Sequence, residues 1–309
     1  MMLCMALTNR CSLACSSCLN ASGPRGEYGL PTETLMGVLE WLAGQETPQV
    51  DFSGGEPFVR HDVRHLIRHA RQCKLTVNAC TNGYRVADKD LALLADMRRV
   101  TITFYGRERF HDGIARVRGA YRQAIRTVSL LRGAKARLRA NVVTLAGALC
   151  DLPALACELQ EAGVDEIKFS MVLPLGRATD LTSQLIKRHE NERLGQAVLA
   201  RDDLDVPILV QGFGRAPFVC QIPEKGGLFL THDGRLYPCP LFCHAGFDIG
   251  RITGARSVYD ALEGMKWDSA LDCIARAGEN RCPAIDLGLF ADVPDAIVHQ
   301  GCPPLVERK

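Results

Sequence analysis

The chain has 309 residues, long enough to bury a sizeable core and to form two domains of about 150 residues each. Its 37 Lys+Arg against 35 Asp+Glu leave a net charge of +2, which excludes the electrostatic footprint of a duplex nucleic-acid binder or of a protein held on an anionic membrane. A hydrophobic content of 47% excludes a disordered chain, and no apolar run approaches the ~18 residues of a membrane-spanning helix.

Met2–Leu7 is an apolar β-like run, and Thr32–Leu42 is a helix with Thr32 at its N-cap and Leu35, Met36, Val38, Leu39 and Leu42 on its buried stripe. The alternation then repeats. Strands are predicted at Gln49–Ser53, Leu75–Ala79, Val100–Phe104, Arg137–Val143 and Glu166–Met171. Helices are predicted at Val63–Cys73, Asp88–Met97, Gly119–Gly133 and Leu152–Ala162. Repeated β-then-α units argue for parallel strands with right-handed crossovers, as an open doubly wound sheet or a partial barrel. In either, function sits at the C-terminal ends of the strands. The rhythm stops after Pro174-Leu175-Gly176-Arg177. A polar helix is expected over Thr182–Ala200, and a Gly/Pro-punctuated region begins at Pro207. Leu228–Leu230, the Thr231-His232-Asp233-Gly234 turn and Arg235–Pro238 then read as a β-hairpin. A boundary near residue 180 divides the chain into 1–180 and 181–309.

Cysteine is the outlier, at 14 residues. Met1–Leu7 is too short for the apolar core of a signal peptide and lacks a basic start. A reducing, cytoplasmic compartment is therefore expected, where clustered thiols read as metal ligands or redox groups. Scattered Cys4, Cys73, Cys150 and Cys157 read as small apolar residues. Cys11-x3-Cys15-x2-Cys18 follows the first strand. Three thiolates this close can hold three corners of a metal cluster and leave one metal open for chemistry. Structural zinc, the competing reading, wants four closed ligands.

Further unusual residues fall after the strands in order. Ser53-Gly54-Gly55-Glu56-Pro57 follows the second, Thr81-Asn82-Gly83 the third, Thr103 ends the fourth and Asn141 the fifth, and Pro174-x-Gly176-Arg177-Ala178 follows the sixth. With the cysteine triplet, this series resembles the radical S-adenosylmethionine enzymes over about residues 1–180. The resemblance implies a partial (β/α)6, TIM-like barrel, a [4Fe–4S] cluster on Cys11, Cys15 and Cys18, and S-adenosylmethionine cleaved to a 5′-deoxyadenosyl radical that abstracts hydrogen. It implies cofactor contacts from Gly54, Gly55, Glu56, Thr81, Asn82, Thr103 and Asn141. Relatives often carry S-x-D-G where this chain has Thr103-Phe104-Tyr105-Gly106, so the acidic position becomes Tyr105. His111-Asp112 and Arg118-Gly119 match the H-D…R-G segment that follows in relatives, and Arg118 is a candidate partner for the methionyl carboxylate.

Cys220, thirteen residues, Gly234, four residues and Cys239 resemble the opening of the SPASM and twitch extensions, which bind auxiliary Fe–S clusters, and Asp248-Ile249-Gly250-Arg251-Ile252 resembles the segment after it. The full SPASM cysteine pattern is absent. Two fully ligated clusters need four thiolates each, whereas six cysteines follow residue 219. One auxiliary [4Fe–4S] cluster in a small C-terminal hairpin-and-helix domain is the simpler reading. Its preferred ligands are Cys220, Cys239, Cys282 and Cys302, with Cys243 and Cys273 in reserve and zinc as the alternative. Gly234 is expected to turn the hairpin and bring Cys239 back beside the rest of the site. Cys243, Cys80 and Tyr105 are candidates to donate a hydrogen atom or proton to a substrate radical.

The function expected first is maturation of a ribosomally made peptide by crosslinking, epimerisation or oxidation. Ten residues precede Cys11, so a separate protein is expected to recognise the peptide. The alternative is oxidation, epimerisation or decarboxylation of a small molecule such as an aminocyclitol, sugar or nucleoside. A non-catalytic Fe–S or zinc protein is the distant third, because it leaves the ordered strand-end motifs unexplained. Flavodoxin or ferredoxin is the expected electron donor.

Overall fold

The structure, a computed structural model, describes residues 1–172, 174–211, 226–243, 247–268 and 271. Strand β1 (Met2–Ala6) is followed by α1 (Thr32–Ala43), β2 (Gln49–Ser53), α2 (Val63–Gln72), β3 (Thr76–Thr81), α3 (Asp88–Ala95) and β4 (Arg99–Phe104). Two helices come next, α4 (Glu108–Ala115) and α5 (Ala120–Leu131), then β5 (Arg137–Thr144), α6 (Leu152–Ala162) and β6 (Glu166–Met171). Helix α7 (Arg188–Leu199), β7 (Ile208–Val210), β8 (Gly227–Leu230), β9 (Arg235–Tyr237), β10 (Gly250–Arg251) and α8 (Val258–Glu263) complete the described elements.

The strands form one sheet in the order β10-β9-β8-β1-β2-β3-β4-β5-β6-β7. Pairs from β1 through β7 are parallel, as the alternating β/α pattern requires. The curved sheet does not close, so the architecture is the expected partial barrel. Hairpin β8–β9 joins through β8, which lies parallel to β1. Strands from both sides of residue 180 thus share one sheet.

Alternation along each strand separates two environments. Leu3, Met5, Val50, Phe52, Val100 and Ile102 are at most 1% exposed and pack with Leu35, Val38, Leu39, Leu66 and Ile67 of the surrounding helices. The other face of β4, β5 and β6 carries Arg99, Thr101, Thr103, then Arg137, Arg139, Asn141, then Glu166, Lys168, Ser170. The lumen is therefore polar, while the apolar core lies between sheet and helices.

Three local expectations change. Pro31, not Thr32, precedes α1, and the Thr32 hydroxyl donates to Asp62 Oδ2 at 2.7 Å. The polar stretch after residue 180 divides into a 3-10 segment over Gly176–Gln184 and α7. Helix α4 was not predicted, and its last carbonyls, which have no partner within the helix, accept Ser16 N–H at 2.9 Å and Ala14 N–H at 3.4 Å from the cysteine loop.

Candidate functional site

The three cysteines lie on the loop between β1 and α1, at the C-terminal edge of the sheet. Cys11 and Cys15 are each 8% exposed. The loop is fixed by contacts distant in sequence. Arg60, with its side chain 1% exposed, donates from Nη1 to the carbonyls of Leu7 at 2.9 Å, Tyr28 at 2.9 Å and Leu30 at 3.2 Å. Its Nε and Nη2 donate to Asp62 at 2.8 and 2.6 Å. One buried guanidinium thus ties the loop's two ends together. Burial alone would raise the Asp62 carboxyl, but hydrogen bonds from Arg60 and Thr32 outweigh it and lower the carboxyl to about 2.

Arg177 holds the middle of the loop, with Nε donating to Cys15 O at 2.8 Å and Nη2 to Ser22 O at 2.6 Å. Its own N–H donates to Cys18 O at 3.0 Å. The preceding Gly176 sits at φ +57°, where a Cβ would fall 2.2 Å from Leu19 O. The P-x-G-R segment after β6 is thereby explained as a clamp on the cysteine loop. Gly54, at φ +126°, and Gly55 do a similar job: added Cβ atoms would lie 2.5 Å from Thr8 O and 2.2 Å from Arg10 O. Their tight approach is to the loop backbone, and both also line the cavity beside it.

That cavity, about 380 Å³, is lined by Cys11, Cys15 and Cys18, by Gly54 and Gly55, and by the strand-end residues Cys80, Thr81, Asn82, Thr103, Tyr105 and Asn141. Ser53, the first residue of the glycine motif, joins them, as does Ser170, which was not singled out in the sequence and whose Oγ donates to Asn141 Oδ1 at 2.6 Å. Among its described lining residues none carries a charged side chain. Asn82 Nδ2 approaches Cys11 Sγ at 3.4 Å.

Glu56 lies beside this cavity but does not line it. It is 2% exposed and accepts Asn82 N–H at 2.8 Å, Phe58 N–H at 3.2 Å and the Thr81 hydroxyl at 2.9 Å. It therefore positions the Thr81-Asn82 turn; burial raises its carboxyl to about 7 despite these donors. Arg118 is exposed and outside the cavity lining. The H-D…R-G segment instead caps a helix: Asp112 accepts Gly119 N–H at 2.6 Å and Tyr121 N–H at 2.9 Å at the start of α5. His111 accepts Tyr105 N–H on Nδ1 at 3.4 Å, which assigns its proton to Nε2, a buried atom without a partner. Burial lowers this imidazole to about 4, so it is neutral at pH 7.

Of the three candidate donors, Tyr105 and Cys80 line the cavity and Cys243 does not. Burial lifts the Tyr105 phenol well above its ordinary range, as does its neighbour Cys15, to which it hydrogen-bonds. Burial first and Asp51 second raise Cys80 to about 11. Cys239 and Cys243 flank a 3-10 turn after β9. Since β9 runs antiparallel to β8, with Tyr237 opposite Phe229, and Gly227 lies opposite Met2, the hairpin carries Cys239 back toward the N-terminal ends of the barrel strands. This places Cys239 away from the Cys11 loop. Four strand residues, roughly 13 Å of strand, separate the level of Met2 from the end of β1 at Ala6. Burial pushes the Cys243 thiol up to about 12. Cys220, Cys273, Cys282 and Cys302 lie outside the described residues.

The triplet fits a metal cluster. Besides the Asn82 amide, Leu13 N–H approaches Cys11 Sγ at 3.4 Å and Ser22 N–H approaches Cys18 Sγ at 3.3 Å, donors that favour thiolate charge. Burial raises Cys11 to about 12 and also raises Cys15, so these thiols are protonated until a cationic group binds. Among the described residues no three His, Cys, Asp or Glu side chains converge on a point for a single ion. The three thiols line one cavity, as ligands of a shared cluster must.

Residues 5–147 match the model of the Radical SAM superfamily. The mycofactocin maturase MftC of Mycolicibacterium smegmatis is 27% identical over 266 residues, 80% of this chain and 66% of that protein. The PqqA peptide cyclase of Rhodopseudomonas palustris is 40% identical over 107 residues, 34% of this chain and 28% of its own. SuiB of Streptococcus suis bound to its precursor peptide SuiA superposes with a TM-score of 0.66 at 14% identity, over 79% of this chain and 60% of that one. SuiB bound to S-adenosylmethionine gives 0.62 at 14% identity, covering 79% and 61%. At that identity the superposition speaks to the fold, an open barrel. The match to MftC spans just under two thirds of that relative's length. No helix among the described residues is long and apolar enough to cross a membrane.

Proposed function

We propose, for a chain whose residues 5–147 are a radical SAM domain, reductive cleavage of S-adenosylmethionine in the maturation of a ribosomally synthesised peptide. The observation that carries this reading is the thiol triplet, Cys11 and Cys15 buried and Cys18 half-buried, lining an uncharged cavity at the C-terminal ends of parallel strands. Bound there, a [4Fe–4S] cluster with one open iron and S-adenosylmethionine supply a 5′-deoxyadenosyl radical for hydrogen abstraction.

The protein's own share is holding, orienting and drying. Cys11, Cys15 and Cys18 hold the cluster. Arg60 and Arg177 fix the loop that bears them. Glu56 fixes the turn that presents Thr81 and Asn82. Thr103, Asn141, Ser53 and Ser170 offer neutral hydrogen-bonding groups to ribose, adenine and amino-acid portions of the cofactor, while Val143, Met171 and Val172 form an apolar wall of the cavity that excludes water. Tyr105, buried and protonated, is placed to act on a substrate radical, as is Cys80.

Support for a peptide substrate over a sugar, aminocyclitol or nucleoside comes from relatives named as a maturase and a peptide cyclase, and from SuiB, solved with a precursor peptide. We assign an auxiliary cluster to the C-terminal cysteines, Cys239 among them, as acceptor of the electron left on a product radical, and a flavodoxin or ferredoxin as donor to the first cluster.

The test is anaerobic turnover with S-adenosylmethionine, a reductant and the precursor peptide encoded nearest this gene. Formation of 5′-deoxyadenosine with a peptide lighter by two hydrogens indicates crosslinking or oxidation. Unchanged mass with deuterium taken up from solvent indicates epimerisation. Retained 5′-deoxyadenosine in the Cys11→Ala, Cys15→Ala and Cys18→Ala variants overturns the assignment.

A further inference from the structure

At the opposite end of the barrel, where β4, β5 and β6 begin, Arg98, Arg99, Arg137, Arg139 and Glu166 surround a second cavity of about 410 Å³. We infer that this cavity binds a small dianionic molecule, a phosphoryl compound or a short dicarboxylate, independently of the chemistry at the cysteine end.

The register brings the arginines together. Arg99 stands directly opposite Arg137, Thr101 opposite Arg139, and Arg139 opposite Glu166. Like charges directly opposite in a sheet are destabilising, so this pairing needs a counter-charge. Glu166, with its side chain 7% exposed, supplies one: it accepts from Arg137 Nε at 2.9 Å and also from Arg139 Nε. The lining thus holds one carboxylate and four guanidiniums, and the carboxylate pairs with two of them. Arg98 and Arg99 make no ion pair with any described residue. Two further carboxylates lie nearby and keep their charge, but each accepts from neutral donors: Asp165 Oδ2 from Leu138 N–H at 2.6 Å, and Asp51 from Gln49 at 3.3 Å and from Asn78.

A concave site with one sign of charge and low-dielectric walls concentrates oppositely charged ligands. Guanidinium forks match phosphate and carboxylate oxygens bidentately. Arg98 and Arg137 are exposed at the rim, whereas the Arg139 side chain is 15% exposed and lies deeper. Pro207 and Leu209 form one apolar wall, suited to the carbon skeleton of an organic anion. The residual positive charge, the fork geometry and the concave shape together define an oxyanion site at the end of the barrel away from the thiols.

Isothermal titration of the anaerobically reconstituted, full-length protein at fixed ionic strength tests this, with sodium pyrophosphate and sodium succinate as probes. One probe is expected to bind saturably at one site per chain, and which one binds more tightly decides between phosphoryl and dicarboxylate ligands. Arg99→Gln is expected to weaken that binding at least about tenfold. Arg98→Gln, on the exposed rim, is expected to weaken it several-fold. Arg122→Gln, whose guanidinium pairs with Glu108 at 2.6 Å, is expected to leave it unchanged. Absence of saturable binding by both probes, or equal weakening by Arg122→Gln, overturns the inference.

Discussion

The same three strands build two different chambers. At their C-terminal ends β4, β5 and β6 present Thr103, Asn141 and Ser170 to a cavity with no charged residue among its described lining; at their N-terminal ends they present Arg99, Arg137 and Glu166 to a charged one. Two pleats of strand separate these settings, so fold alone does not set the chemistry of a barrel lumen. The neutral end suits a large dipolar cofactor and a reactive intermediate that strong local charge or water would divert. The charged end suits recognition of an anion. What keeps the ends distinct is the scaffolding: the neutral end is held by buried ion pairs behind the lining, while the charged end wears its ions on the lining.

Breaking the thiol triplet should have the largest effect. Replacing Cys11, Cys15 or Cys18 with Ala should remove about four iron per chain after anaerobic reconstitution and abolish 5′-deoxyadenosine formation, with binding of anions at the other end unaffected. Next is Arg60→Met, which strands the Asp62 carboxylate and three loop carbonyls. A loss of about 3–5 kcal/mol is expected in denaturant unfolding. Third is Arg177→Ala. It frees the carbonyls of Cys15 and Ser22 without touching the Arg60 network, and should cost about 1.5–3 kcal/mol; chelators should strip iron from this variant faster than from the wild type. The smallest effect separates the scaffold from the lining by pH. Because the Asp62 carboxyl is lowered from an ordinary 3.8 to about 2, its contribution is complete above pH 4 and lost as pH falls through 2. Asp62→Asn should flatten the stability profile across that interval, read by thermal unfolding.

Much of this was legible in the sequence. The cysteine triplet, Gly54-Gly55 and Asn82 each follow a strand, Thr81 and Thr103 fall in the last two residues of β3 and β4, and Asn141 lies inside β5, which runs on to Thr144; the strand-end rule for parallel sheets turns that order into a cavity. Strands β2 and β6 and helix α6 have the expected bounds, because each is a short apolar run or a clean 3.6-residue stripe between turn signals. Arg60 was not legible. Its acceptors are carbonyls 30 to 53 residues away, and a lone arginine before an amphipathic helix carries no sign of burial. Glu56 was legible as a marked residue but not in its role, since tertiary neighbours decide whether an acid faces the ligand or braces the turn that does. Arg118 failed for the reciprocal reason: the residues around it matched a pattern whose structural content is the Asp112 cap, not the arginine. The return of Cys239 toward the far end follows from β8 lying parallel to β1, a pairing between strands more than 200 residues apart that local pattern cannot reveal.

The Arg60 staple has a consequence for assembly. It shuts a loop running from Leu7 to Leu30 with donors supplied by protein alone, so closing the loop's ring calls on no iron ligand. The conformational entropy of bringing three ligands together is then largely spent during folding, and cluster affinity is not diluted by it. Folding and iron loading become separate events, unlike small zinc modules in which one is the other. The apoprotein should emerge from the ribosome as a folded acceptor, and delivery of iron and sulfide to it becomes a docking reaction with its own rate.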